Sequence, residues 1–389
     1  MRCERYAGVR VSFIVVILAT SLSLVAQIPA TIADQLSTPE HLKKNGWWPT
    51  KGSMPRGEYA GATQCAQCHS DIAATQKQSH MAQTSMEPSS SDQLRTHQEI
   101  SFSLGPYSYR ITRSGAQELY SVSTGTQTIS EPFTWAFGAA GNGQSYLFNH
   151  DGKLYEARLT YYRTKDAFDI SPNHPTTPSP SLEEAIGRHI SSEEAAKCFG
   201  CHTTAATVSD KFEPEKSMPG ITCEQCHGPG AAHVAAQKSG LGDSGIGAEL
   251  NPARFPPPEA VDFCGTCHRT WWDVTLDGLT GTGTVRFPAY RLEKSRCWGK
   301  GDARVTCMAC HDPHKPLVKE SASYDGRCLS CHRNSPTAQR SADHPGSPCT
   351  VAQQDCASCH MPKYEIPEMH TKFTDHMIRV VRKDGVFPE

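Results

Sequence analysis

Residues 223–237 read CEQCHGPGAAHVAAQ. Two cysteines separated by two residues run directly into a histidine, and a Gly-Pro-Gly turn then leads to a second histidine, His233. The same Cys-x-x-Cys-His pattern recurs at Cys65/Cys68/His69, Cys198/Cys201/His202, Cys264/Cys267/His268, Cys307/Cys310/His311, Cys328/Cys331/His332 and Cys356/Cys359/His360, so the chain carries seven copies. With 17 Cys and 18 His in 389 residues, random placement would give roughly 0.03 copies of a pattern read as a c-type haem attachment site.

Two other chemistries use paired cysteines. A zinc site takes four ligands, commonly as two CxxC pairs, and gives no reason for a histidine after every second cysteine. Seven pairs also cannot be grouped by twos. A thioredoxin-like dithiol wants one CxxC near a βαβ pattern, and none of the seven sits in one. Covalent haem uses every position: Cys65, Cys68, Cys198, Cys201, Cys223, Cys226, Cys264, Cys267, Cys307, Cys310, Cys328, Cys331, Cys356 and Cys359 as thioether sulfurs, and the histidine that follows each pair as the proximal iron ligand. Seven haem c groups are the expected cofactor load.

The N-terminus fits the compartment that this chemistry needs. Arg2, Arg5 and Arg10 precede an apolar run from Val11 to Ala26, and small residues follow up to Ala33. This is the layout of a secretory signal over residues 1–33, cleaved after Ala33 or after Ala26, with an uncleaved anchor as the alternative. Export to the periplasm or the cell surface follows. Fourteen cysteines lie in motifs and Cys3 lies in the leader, so Cys297 and Cys349 remain, a pair that an oxidising compartment would bridge.

Removing residues 1–33, with three Arg and one Glu, takes the formal charge from −2 to −4. Each oxidised haem with two ionised propionates adds roughly −1, giving about −11, which favours basic partners and disfavours nucleic acid. Apolar residues make up only 37% and mean hydropathy is −0.50, so the porphyrins are expected to supply much of the core.

The motifs are unevenly spaced, and the long gap after His69 reads as β-structure. ISFSLGPYSYRIT (residues 100–112) alternates at period two, and QSYLFNHDGKLYEARLTYY (144–162) sets Asn149-His150-Asp151-Gly152 between two apolar runs as a hairpin turn. The Pro/Ser/Thr-rich stretch 171–181 closes the segment as a loop, and SLEEAIGRHISSEEAAKC is helical in composition. Beyond it, short helices and turns carry six motifs, and the Gly/Pro-rich stretches 238–260 and 275–290 are expected on the surface. The expected class is α+β: mostly short helices and loops around packed haems, with an antiparallel β insertion near residues 100–165. The expected segments are 1–33 signal peptide, 34–97 with the first haem, 98–180 β insertion and loop, and 181–389 hexahaem region.

Several strings carry a resemblance: WAFGAAGNGQSYLFNHDGKLYEARLTYY, EEAIGRHISSEEAAKCFGCHTT, GITCEQCHGPGAAHV, VRFPAYRLEKSRCW, CMACHDPH, and CASCHMPK with MHTKFTDHMIRV. From about Tyr59 to Arg382 the chain resembles the exported multihaem cytochromes of the cytochrome c-552/4 family. The resemblance implies an exported redox protein whose haem packing is related to that of hydroxylamine oxidoreductases and pentahaem nitrite reductases, and it does not by itself imply a substrate. The latter use a lysine as proximal ligand at the catalytic haem, whereas all seven motifs here end in histidine. The former cross-link a tyrosine to the catalytic haem, and nothing marks Tyr161, Tyr162, Tyr290 or Tyr364 for that role.

Seven haems need seven distal ligands to be fully six-coordinate. His233, carried away from its own motif by the Gly-Pro-Gly turn, is expected on a neighbouring haem, and His314 in CHDPH follows the same logic. The resemblance supports His370 and His376. His344 before Cys349 and His80 after the first motif complete the candidates, with Met81 or Met86 as substitutes for His80. His97, His174, His189 and His150 rank below these as ligand candidates, His150 last because it occupies a hairpin turn, and His41 is read as solvated. Two functions of different class follow: an electron carrier relaying between a quinol-side donor and a terminal acceptor, or an oxidoreductase acting on a nitrogen or sulfur oxyanion, or on hydroxylamine, at one five-coordinate haem. Redox proteins such as a membrane quinol oxidase or a terminal reductase are the expected partners, with an oligomer through haem-exposing ends as a variant.

Overall fold

The computed structural model describes residues 54–97, 99–115, 117–138, 141–241, 251–299, 304–333, 348–382 and 385–389, all within the unit Lys44–Glu389. The leader, His41 and the candidate ligand His344 lie outside the described residues.

The gap between the first two motifs folds as antiparallel sheet. Its strands are β1 (Ser85–Met86), β2 (Glu99–Leu104), β3 (Tyr107–Ser114), β4 (Gln117–Ser123), β5 (Thr128–Phe137), β6 (Gly143–His150), β7 (Lys153–Ala157), β8 (Leu159–Tyr162), β9 (Ala167–Ile170) and β10 (Gly187–His189). The order is β10-β7-β6-β5-β4-β3-β2, with β1 on β5, and β8 joining β6 to β9. Period-two alternation sends Tyr107, Tyr109 and Ile111 of β3 and Tyr120 and Val122 of β4 inward, where they pack with Phe133, Tyr146 and Phe148. Glu118 occupies an inward position of β4 and is 2% exposed, and the Arg113 guanidinium satisfies it at 2.8 Å. The sheet reaches beyond the alternating segment, because β1 pairs with the end of β5 and β10 with β7.

The β6–β7 turn is tighter than the sequence suggests. Asp151 and Gly152 form it with φ of 48° and 71°, the two positive angles of a type I′ hairpin, and His150 is the last strand residue, opposite Lys153. Its ring lies between two carboxylates, Nδ1 2.7 Å from Glu131 and Nε2 3.0 Å from Glu183. The Glu131 bond, aided by Glu183, raises its pKa against the opposing effect of burial. A raised pKa stabilises the fold fully below the unfolded value of about 6.5 and loses that contribution as pH rises through the folded value. His150→Gln is therefore expected to lower Tm by a few degrees near pH 6, and thermal melts across pH should show the gap closing as pH rises; a gap that widens with pH would contradict this.

The Pro-rich loop is pinned from beneath. Arg158, 2% exposed, donates to the Ser179 hydroxyl (2.5 Å) and to the carbonyls of Pro175 and Thr177 (both 2.6 Å).

After β10 the chain is mostly short helices, plus a hairpin of Lys363–Ile366 with Thr371–Thr374. The stretch 275–290 departs from the surface loop expected of it. Thr284 and Val285 are buried in a 3-10 turn and Phe287 and Tyr290 pack with Val274, because the apolar residues that follow its glycines need cover. Cys349 holds a free thiol whose sulfur accepts the Ala352 N–H at 3.5 Å, so the expected bridge to Cys297 is not formed in this structure.

Candidate haem centres

Each motif sits on or beside a short helix. Helices Ser192–His202, Pro257–His268 and Asp325–His332 end at the motif histidine. Cys223–His227 and Cys356–His360 consist of the motif alone, Cys307–Cys310 stops one residue before His311, and Ala62–Ala66 carries Cys65. One helical turn puts both sulfurs and the following imidazole on the same side of the chain, as attachment of one porphyrin requires.

Three motif histidines face a histidine from elsewhere. The ring centroids of His69 and His233 are 6.5 Å apart, those of His227 and His314 5.9 Å, and those of His311 and His376 6.3 Å. An imidazole nitrogen sits about 1.1 Å from its ring centre and about 2.0 Å from a ligated metal, so two rings on opposite sides of one metal have centroids about 6.2 Å apart. The three separations fit one iron between each pair. The arrangement is interleaved: His233 follows the third motif but faces the first, and His314 follows the fifth but faces the third.

The motifs also meet through their first cysteines. The sulfurs of Cys65 and Cys223 lie within hydrogen-bonding reach of each other. Cys264 and Cys307, and Cys328 and Cys356, are neighbours in the same way. The Cys201 sulfur lies 3.8 Å from the carbonyl of Thr266, inside the fourth motif. Among the described residues no group of three or more His, Cys, Asp or Glu converges to hold a metal ion by itself.

Burial holds some of the imidazoles neutral, and hydrogen bonds orient others. Desolvation, reinforced by the nearby His311, pushes His376 down to about 4, and desolvation likewise lowers His202 and His311, leaving the lone pair that a metal needs. His202 Nδ1 donates to the Thr84 carbonyl at 3.1 Å and the Phe137 ring lies parallel to it at 5.1 Å; His360 Nδ1 donates to the Arg379 carbonyl at 2.8 Å. Such bonds fix the tautomer that presents Nε2 to iron. His268 and His332 occupy the ends of their helices.

The remaining candidates are placed differently. His370 Nε2 lies 3.2 Å from Asp169 and its ring packs edge-on against Tyr162; among the described residues no ring contact joins it to a motif histidine. His80 is half-buried with Nδ1 enclosed and unpartnered, and a Cβ on Gly141 would come within 3.0 Å of its ring. The position opposite His69, for which His80 is the local candidate in sequence, is filled by His233. His174 faces Glu156 and His189 packs on Tyr155; His97 lies against Tyr161 and Phe168.

Sequence reading misses the carboxylates that join motifs. Glu224, inside the third motif, accepts from the N–H groups of Ala60 (2.7 Å), Gly61 (2.8 Å) and Gly230 (2.8 Å). Asp325, on the sixth motif's helix, accepts from Asp355 (2.6 Å) and Cys356 (2.8 Å) and so caps the seventh. Gln225 donates to the Gly200 carbonyl of the second motif at 2.9 Å. No sequence signal marks these positions: Glu224 and Gln225 stand where the Cys-x-x-Cys-His pattern specifies no residue, and Asp325 lies three residues before its motif.

The family model described as cytochrome c554 and c-prime matches residues 160–228. The chain is 25% identical to the high-molecular-weight cytochrome c of Nitratidesulfovibrio vulgaris over 43% of its own length and 26% of that protein. It is 23% identical to the multiheme cytochrome MtrA of Shewanella baltica over 45% and 47%, and 26% identical to the C-type polyheme cytochrome OmcB of Geobacter sulfurreducens over 42% and 19%. It thus spans less than half of each of these curated relatives. The crystal structure of the outer cell wall cytochrome OcwA is similar over 83% of this chain and 80% of that one, with a TM-score of 0.48 and 16% identity. The Cys-x-x-Cys-His motifs, the family-model match and the sequence likenesses to curated multihaem cytochromes support a multihaem c-type cytochrome, the class that holds haem c covalently.

Proposed function

We propose that this protein relays electrons through seven covalently bound haems, mainly bis-His, in the periplasm or at the cell surface. The observation that carries the reading is the three histidine pairs, 5.9 to 6.5 Å apart, each uniting a motif with a segment that follows another motif or lies near the C-terminus. Ligands exchanged in this way keep neighbouring porphyrins close, and the first-cysteine contacts bring motifs one and three, four and five, and six and seven together. The haem supplies the redox chemistry; the chain supplies spacing, axial ligands and a dry surround. His80, His344 and His370 remain candidate ligands for the other centres, the last only if its Asp169 contact is broken. Residues 34–97, 98–180 and 181–389 serve as first-haem segment, β insertion and hexahaem region.

The negative charge of the loaded protein favours basic redox partners, of the quinol-oxidase or terminal-reductase kind. No helix among the described residues is long and apolar enough to cross a membrane. Mass spectrometry of the mature chain should find seven haem additions and loss of residues 1–33; six or fewer in fully matured protein would contradict the reading of at least one motif.

A further inference from the structure

Glu224 is 2% exposed, and its three accepted hydrogen bonds do not serve its own motif. Two go to Ala60 and Gly61, and Gly61 is the residue that opens helix Ala62–Ala66, from which Cys65, Cys68 and His69 follow. The third goes to Gly230, which opens helix Ala231–Lys238 and so aims His233. Gly228, with φ of 81°, turns the chain between Glu224 and that helix, a conformation that favours glycine. One buried carboxylate thus holds the starts of both segments whose histidines face each other at 6.5 Å.

We infer that Glu224 is the positioning residue of the first haem: from within the third motif it sets the distance between His69 and His233, and thereby couples the ligation of one centre to the attachment helix of another. The inference rests on the proposed axial pairing of His69 with His233. Its chemistry is specific. The three N–H groups are shared between two oxygens, Oε1 taking Ala60 and Gly230 and Oε2 taking Gly61. A glutamine keeps the shape but offers one oxygen, and its NH2 must then face an N–H donor. An alanine leaves all three donors without a partner.

The test uses the haem-loaded chain with variants E224Q, E224A, E224D and H233A, read by ferric electron paramagnetic resonance, carbon monoxide binding and haem count by mass. H233A should convert one haem equivalent to high spin. E224Q and E224A should convert the same single equivalent, E224D should return most of it to low spin, and the double variant E224Q/H233A should show no more than one equivalent. A glutamate serving only its own helix would disturb the third centre instead, and the double variant would then show two. If H233A responds and E224Q stays low-spin, the positioning role is overturned while the axial pairing stands. If H233A itself stays low-spin, the pairing falls and the inference with it. Should E224A fail to accumulate, the contrast between E224Q and E224D decides.

Discussion

Asp375→Asn is expected to cost about 3–5 kcal/mol of stability, the penalty for breaking a buried ion pair from one side, and to release His376 from the fifth haem. Asp375 and Arg291 are both fully buried and meet through two parallel bonds of 2.8 Å. Arg379 adds a second cation to the carboxylate at 2.7 Å, and the Asp375 carboxylate also accepts the Met377 N–H at 3.0 Å. Arg291 has its other N–H groups on the Pro388 carbonyl, at 2.8 Å, and its face over the Phe387 ring. His376, the next residue after Asp375, is held through its carbonyl by the Ser295 hydroxyl at 2.9 Å. Asparagine leaves two guanidinium groups without their counter-charge, and the segment carrying His376 loses its anchor to helix Pro288–Glu293. Thermal unfolding, with ferric spectra recorded below the transition, checks both parts. Full stability with an unchanged spectrum would contradict the expectation. Replacing Arg291 and Asp375 together by apolar residues of similar volume should recover part of the lost stability.

His314→Met should raise the reduction potential of one haem by on the order of 0.1 V while leaving it low-spin, since a thioether axial ligand favours ferrous iron relative to imidazole. On the proposed pairing of His227 with His314, whose rings are 9° apart with centroids at 5.9 Å, the third haem is the one expected to respond, although His314 lies in sequence beside the fifth motif. A spectroelectrochemical titration of wild type and variant would show a single component displaced upward. A shift assigned to the fifth haem, or none at all, would mean that His314 does not serve the third centre.

How much of this was readable in advance varies with the range of the interaction. The motifs are local, so seven Cys-x-x-Cys-His copies announce themselves, and the Gly-Pro-Gly turn after His227 already says that His233 leaves its own motif. Which motif histidine it faces is decided by the return of residues 59–69 to that turn, and the Glu224 bonds that fix the return span 164 and 163 positions. The clamp on His376 spans 84 positions between Arg291 and Asp375, and neither residue stands out in the sequence. Strands β2 and β3 were legible from the alternation of residues 100–112. The two-residue β1 and three-residue β10 are too short to show a period and exist because β5 and β7 offer them edges. The stretch 275–290 misleads because its glycines read as a surface loop, while Val285, Phe287 and Tyr290 are buried. His370 is a candidate on the resemblance alone; it has a left-handed backbone, φ 48°, and its Nε2 lies 3.2 Å from Asp169.

The bis-His relay is tested most directly by counting high-spin ferric haem, by low-temperature electron paramagnetic resonance, in the fully loaded triple variant His233→Ala, His314→Ala, His376→Ala against the native chain. Three additional high-spin equivalents, with the haem count unchanged, are the expected result. No increase over the native spectrum would contradict the axial pairing of His69 with His233, His227 with His314 and His311 with His376.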